Sequence, residues 1–147
     1  MSIFPTKVLL ATDGSREAEL AATTAADLAQ RTNSELHVVT VGPDYPLYEL
    51  PDYTSRFEDV LREQRRETRE LLEEQIKKVQ ELGGPVNESH LREGRADEEI
   101  LDVAEKIGAG LIVMGSRGHG RIRRALMGSV SDAVVRHAHC AVTIVRE

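Results

Sequence analysis

The chain has 147 residues, a formal net charge of −6 and 40% hydrophobic residues, which is typical of a globular protein. A chain of this length buries a core without disulfides or a structural metal, and its single cysteine, Cys140, excludes an intramolecular disulfide. The acidic balance argues against nucleic-acid binding over the whole surface. No apolar run approaches the roughly eighteen residues of a membrane span. We therefore expect a cytoplasmic protein whose partners are neither nucleic acid nor membrane.

Five short apolar runs predict β-strands. Four of them are rich in β-branched residues and nearly continuous, as expected of strands covered on both faces. The third run is more polar and is predicted to be an outer strand. In chain order the runs are KVLLA (7–11), ELHVVTV (35–41), VNESHL (86–91), GLIVM (110–114) and AVTIV (141–145).

Helical spacing of apolar residues between these runs predicts four helices. They cover 16–31 with Ser15 as N-cap, about 56–82 with a solvated charged face, 96–107, and a segment that begins near Ser129. Strand and helix thus alternate throughout. This order predicts an α/β fold for residues 1–147 as a single domain, with a five-stranded parallel sheet and helices on both faces.

In such sheets a ligand binds beyond the carboxyl ends of the strands, where the winding direction reverses. Two segments are expected at that edge. One is Thr12–Ser15 after the first strand, and the other is GSRGHGRIRRALMGSVS (115–131) after the fourth.

The second segment combines the parts of an anion-binding loop. Its glycines, Gly115 and Gly118, let the backbone approach a ligand, and Gly128-Ser129 opens a helix whose free N–H groups favour negative charge. Its serines add hydroxyl donors, and four arginines (117, 121, 123 and 124) add positive charge. The spacing fits neither a Walker A loop nor a dinucleotide fingerprint. An exposed loop with a routine serine cap is the alternative.

Three stretches together resemble the universal stress proteins of the ATP-binding kind. They are TDGS after the first strand, GLIVMGSRGHG, and GSVSDAVVRHAHCAVTIVR. The signature of that subgroup, G-x2-G-x9-G-[ST], is matched at Gly115, Gly118, Gly128 and Ser129. The chain departs from the family in having Gly110 where an aspartate is common before the fourth strand.

The resemblance implies a Rossmann-like fold of the adenine nucleotide alpha hydrolase type, with ATP, accompanied by Mg²⁺ held mainly by its phosphates, at the ligand edge. It further implies a stress-response or regulatory protein and a homodimer through the uncharged last strand, Ala141 to Val145, whose edge position itself invites pairing. The residues implied to contact the nucleotide are Thr12, Asp13 and Val41 around the adenosine; Gly115, Arg117 and Gly118 along the ribose and phosphates; and Gly128, Ser129, Val130 and Ser131 at the helix that meets the phosphates. Ala11 and Met114 are expected as further contacts.

Two other functions stay open at this point. A slow ATPase or adenylate-handling enzyme would have to work without a Walker lysine or an evident base, so we assign no catalytic residue. An interaction module with an empty pocket would use the long charged helix as its contact surface. His137, His139 and Cys140 are not expected to converge on a metal, and Cys140 is predicted to be a small buried apolar residue.

Overall fold

The computed structural model describes residues 2–43, 55–116 and 128–147. Strands and helices alternate along the whole of this part of the chain, as the sequence predicts. The elements are β1 (Lys7–Ala11), α1 (Arg16–Thr32), β2 (Glu35–Gly42), α2 (Ser55–Glu81), β3 (Val86–Glu93), α3 (Ala96–Ile107), β4 (Leu111–Gly115), α4 (Ser129–His137) and β5 (Ala141–Val145).

All five strands form one parallel sheet in the order β3-β2-β1-β4-β5. The direction of winding therefore reverses between β1 and β4, which lie side by side with Leu9 opposite Ile112. This confirms the predicted fold class, the outer position of β3 and the edge position of β5. It also brings the loops that follow β1 and β4 to the same edge.

Helices cover both faces of the sheet, as predicted. On one face, α1 and α2 pack on Val8, Leu10 and Val38. On the other face, α3 and α4 pack on Leu9 and Ile112. Both cores are aliphatic, as a chain with 3% aromatic residues requires.

Residues at the two ends of helix α1 determine where the helix begins and ends. Ser15 is the N-cap, and its hydroxyl accepts a hydrogen bond from the Ala18 N–H at 3.3 Å. The helix ends where Asn33 adopts the left-handed conformation (φ 56°). Between these ends its buried face is mostly alanine, so the helix lies close to the sheet. The buried alanines are Ala18, Ala21, Ala22, Ala25, Ala26 and Ala29.

The apolar residues of helix α2 are buried only in part. Leu72 and Val79 are buried, but Val60, near the start of the helix, is 45% exposed. A Cβ at Gly42, in the last position of β2, would meet the side chain of Thr68. Residues before Thr68 therefore extend past the end of β2, where the described ranges contain no strand to cover them.

Gly110, the position that departs from the family pattern, faces β1. A Cβ there would overlap the hydroxyl of Thr6, so a larger residue would push these two segments apart. The described ranges contain no helix that is both long and apolar enough to cross a membrane.

Candidate functional site

A cavity of about 320 Å³ opens at the carboxyl edge of the sheet, at the ends of β1, β2 and β4. Its volume is at the lower end of the range for small-molecule sites. All ten predicted site residues within the described ranges line it, and Arg117 and Gly118 lie outside those ranges. The lining is Ala11, Thr12, Asp13, Ser15, Ala18, Val39, Val41, Ala96, Ile100, Met114, Gly115, Ser116, Gly128, Ser129, Val130 and Ser131.

The turn from β1 into α1 is held by its own side chains. The Asp13 carboxylate accepts a hydrogen bond from the Ser15 N–H at 2.9 Å, which is the local bond of an Asx-turn. Gly14 follows with a φ of 79°, and a Cβ there would collide with Leu71. Asp13 is half-buried and is the one carboxylate in the described lining of the cavity.

Thr12 is tied to two elements that the sequence does not point to. Its hydroxyl donates to the side-chain oxygen of Gln75 on α2 at 3.0 Å. Its carbonyl accepts from the hydroxyl of Thr40 on β2 at 3.1 Å. Because Thr12 and Gln75 are buried, this network fixes the turn against α2. No spacing in the sequence indicates that Gln75, some sixty residues away, supports the site.

Ser116 joins the two ends of the segment between β4 and α4. Its carbonyl accepts from the Gly128 N–H at 2.7 Å and from the Ser131 hydroxyl at 2.5 Å. Its own hydroxyl donates to the buried carboxylate of Glu17 at 2.5 Å. Ser116 and Glu17 are absent from the predicted site, although Ser116 directly follows a predicted residue. The hydroxyl hydrogen of Ser131 is thus directed to the backbone, so Ser131 closes the loop base as well as lining the cavity.

Gly115 lines the cavity, but its close contact is with α1. A Cβ at this position would lie 2.9 Å from the Cβ of Glu17 and 3.0 Å from its carbonyl carbon. The sequence interpretation, that the glycine makes room for a ligand, is therefore incomplete. Its missing side chain first lets α1 pack against the end of β4.

The N-terminus of α4 faces the cavity, and its N-cap residue is Gly128, which has no side chain to cap the helix. Ser129 and Val130 follow in the first turn and line the cavity, and Ser129 is exposed. The one acid in this turn, Asp132, pairs with Arg136 at 3.0 Å. The first-turn N–H groups and the positive end of a helix suit an anion.

The opposite wall of the cavity is apolar. Val39 and Val41 come from β2, Met114 from β4, and Ile100 from α3. A flat apolar group therefore fits on this side while charged groups fit at α4. Val39 and Ile100 were not among the predicted site residues. Val39 could have been found from its alternation with Val41, whereas Ile100 is brought in by the packing of α3.

The other candidates from the sequence do not add to this cavity. His137 and His139 are exposed, and burial raises the pKa of the half-buried Cys140 thiol, which keeps it protonated and unreactive. The loop arginines and residues 44–54 lie outside the described ranges. Asp97, Glu98 and Glu99 occupy the first turn of α3, as expected of acids that complement a helix dipole.

The whole chain is similar to proteins of one family. The sequence profile of the universal stress protein family matches residues 5–146. A universal stress protein of Methanocaldococcus jannaschii is 34% identical over 143 residues, which cover 96% of this chain and 82% of that protein. The structure of universal stress protein UspA from Lactobacillus plantarum superposes with a TM-score of 0.80 at 26% identity, covering 99% of this chain and all of that one.

Two further solved structures are complexes with adenine nucleotides. A universal stress protein in complex with cAMP has a TM-score of 0.74 at 25% identity, with 98% of each chain covered. A universal stress protein from Archaeoglobus fulgidus in complex with dAMP has a TM-score of 0.67 at 25% identity, with 98% of this chain and 99% of that chain covered. From the fold, the profile match and the relatives together, this chain belongs to the universal stress protein family.

Proposed function

We propose that this chain binds an adenine nucleotide, ATP in the first place, in the cavity at the carboxyl edge of the sheet. The observation that carries the proposal is the N-terminus of α4, which has a glycine as its N-cap and faces a cavity whose other wall is apolar. A base would lie against Val39, Val41 and Met114, and the phosphates would meet the amides of α4. The relatives solved with cAMP and dAMP support this class of ligand.

The choice of ATP rests on the loop between β4 and α4. The glycine spacing matches the ATP-binding subgroup, and four arginines between residues 117 and 124 would offset several phosphate charges. Asp13 lines the cavity, and in this proposal it would accept a hydrogen bond from the ligand or contact Mg²⁺ through water. In this arrangement the magnesium is held mainly by the phosphates.

We further propose a regulatory role for the protein, in which the effect comes from nucleotide binding, since we assign no catalytic base. We propose a cytoplasmic homodimer joined at β5, which forms one edge of the sheet and carries no charge from Ala141 to Val145. Nucleotide binding at the far end of β4 would then reach the dimer interface through the β4–β5 pairing. Light scattering should give twice the chain mass of 16.3 kDa, and a monomer at micromolar concentration would contradict the dimer.

The test of binding uses the purified protein directly. Protein is denatured and the released small molecules are analysed, and the nucleotide-free protein is then titrated with ATP, dAMP and cAMP by calorimetry. We expect ATP to co-purify or to bind with a Kd well below about 1 mM, which corresponds to about 4 kcal/mol. A Kd for ATP weaker than this, with none released, would contradict the proposal.

A further inference from the structure

Three side chains that can ligate a metal meet between β2 and β3, away from the cavity. The Nδ1 atom of His37 lies 3.3 Å from Nε2 of His90 and 3.5 Å from a carboxylate oxygen of Glu88. The three ligand atoms all lie within 4.8 Å of one another. The His37 side chain is 2% exposed and that of Glu88 is 65% exposed. The cluster thus reaches from the core to solvent.

A bulge in β3 creates this cluster. Leu36 pairs with Val86 but His37 pairs with Glu88, so Asn87 is the additional residue. The side chain of Asn87 accepts the Leu36 N–H at 2.9 Å and holds the bulge in place. Without the extra residue, Glu88 and His90 would point to the opposite face of the sheet from His37. The irregularity therefore brings all three ligands to the face that α3 covers.

The distances fit a shared cation better than they fit hydrogen bonds. Hydrogen bonds to nitrogen or oxygen are usually about 2.9 Å, and both contacts of Nδ1 are longer. Two ligands that each lie about 2.0–2.1 Å from a tetrahedral zinc ion are about 3.3–3.4 Å apart, by the geometry of the tetrahedron. The His37–His90 distance of 3.3 Å falls in this range, and the His37–Glu88 distance of 3.5 Å lies just above it.

The charges around the cluster also suit a metal. The neighbouring cations already have acidic partners. Lys7 lies 4.0 Å from Glu35, and the guanidinium of Arg92 lies 3.2 Å from Glu99 and 2.9 Å from Asp102.

From this geometry we propose that His37, Glu88 and His90 form a site for a divalent transition-metal ion of the Zn²⁺ class. Three protein ligands leave a fourth position for water on the side where Glu88 is exposed. The bound ion joins the outer strand β3 to β2, two residues before Val39 at the wall of the cavity. The site does not depend on the proposed nucleotide.

One atom limits the expected affinity. The Nε2 atom of His37 is buried and has no hydrogen-bond partner among the described residues. Metal-bound histidines usually donate their second N–H to an acceptor, and losing that acceptor weakens binding about 10–100-fold. We therefore expect micromolar affinity, weaker than that of a closed structural zinc site.

The first test titrates the chelator-treated, nucleotide-free protein with ZnCl₂ by calorimetry and with CoCl₂ by visible absorption. We expect one ion per chain, a Kd of about 0.1–10 µM, and a cobalt spectrum with nitrogen and oxygen ligands and no thiolate band. Saturation should raise the Tm by about 5–10 °C. A Kd for Zn²⁺ weaker than about 100 µM would overturn the proposal.

Variants locate the site. His90→Gln should weaken Zn²⁺ binding at least about 100-fold and Glu88→Gln about tenfold, whereas the matched controls His139→Gln and Glu98→Gln should leave it unchanged. Because His37 is in the core, its role is read in the unmodified protein from the imidazole nitrogen NMR signals, and those of His37 and His90 should both shift on adding Zn²⁺. Unchanged affinity in His90→Gln, loss in His139→Gln, or unshifted signals would each place the ion elsewhere and overturn the assignment.

Discussion

Two helices begin at the same edge of the sheet with the same dipeptide, yet they use it differently. Helix α1 begins directly after Gly14-Ser15, whereas α4 begins at the serine of Gly128-Ser129. In α1 the serine is the N-cap, and its hydroxyl accepts the helix's own Ala18 N–H. In α4 the glycine is the N-cap, so the serine falls in the first turn and the N-cap residue offers no side chain to the first amides. A shift of one residue thus distinguishes α1, whose N-cap serine accepts one of the helix's own N–H groups, from α4, whose N-terminus suits an anion.

The largest expected effect comes from breaking the α4 terminus. Gly128→Val should lower ATP affinity about 30-fold or more, because a branched side chain would stand where the phosphates meet the helix, and one charge-assisted hydrogen bond is worth about 1.5–3 kcal/mol. The backbone at Gly128 is extended (φ −65°, ψ 158°), which valine adopts, so the fold should be retained. Calorimetry measures the affinity and circular dichroism the fold.

Gly128→Ala is the graded control for this change. Its single methyl group should reduce affinity less than valine does. If both variants bind ATP as tightly as the unmodified protein, the phosphates do not lie at α4.

The next effect concerns the α1 side of the cavity. Asp13→Asn should lower the affinity for Mg-ATP about tenfold, since the amide oxygen keeps the bond from the Ser15 N–H while the negative charge is lost. Isothermal titration with and without Mg²⁺ measures this. The matched control is Asp59→Asn on the exposed part of α2, which should bind normally. If Asp13→Asn binds Mg-ATP as tightly as the control does, Asp13 does not contact the ligand.

The smallest effects separate the two serines. Ser129→Ala should weaken ATP binding about fivefold and leave the Tm unchanged, because its exposed hydroxyl serves the ligand. Ser15→Ala should lower the Tm and leave ATP binding nearly unchanged. Losing an N-cap costs about 1 kcal/mol and lowers the Tm by about 3 °C, while affinity should stay within twofold. Thermal melts and ATP titrations measure both variants, with Ser89→Ala at an exposed position as the control. A lower Tm in Ser129→Ala together with weaker ATP binding in Ser15→Ala would contradict the comparison.

The sequence predicts the fold well because its signals are local. Runs of β-branched residues, the alanine face of α1 and the Gly83-Gly84-Pro85 stop can each be recognised within a few residues. Alternation of strands and helices then leaves few topologies. The exposure of Val60 cannot be predicted in this way, because it depends on where β2 ends relative to α2, and no local pattern encodes that distance.

The cavity was predicted only where a motif marks it. The glycine-serine spacing located Gly115 and Gly128, but it did not show why each position is a glycine. Gly115 lets α1 pack against β4, whereas Gly128 is the N-cap of α4. Gln75 and Glu17 support the site through contacts across 63 and 99 residues of sequence. The bulge at Asn87 has no sequence signal either, so the His37–Glu88–His90 cluster emerges only when the strands are paired.

The central claim is that the first-turn amides of α4 hold phosphate groups. Its most direct test is the amide NMR spectrum of the labelled protein during titration with ATP and, separately, with adenosine. We predict that the N–H signals of Ser129 and Val130 shift strongly with ATP and little with adenosine, while that of Ala18, already bonded to Ser15, stays in place. Equal shifts with both ligands, or no shift at Ser129 and Val130 with saturating ATP, would contradict the claim.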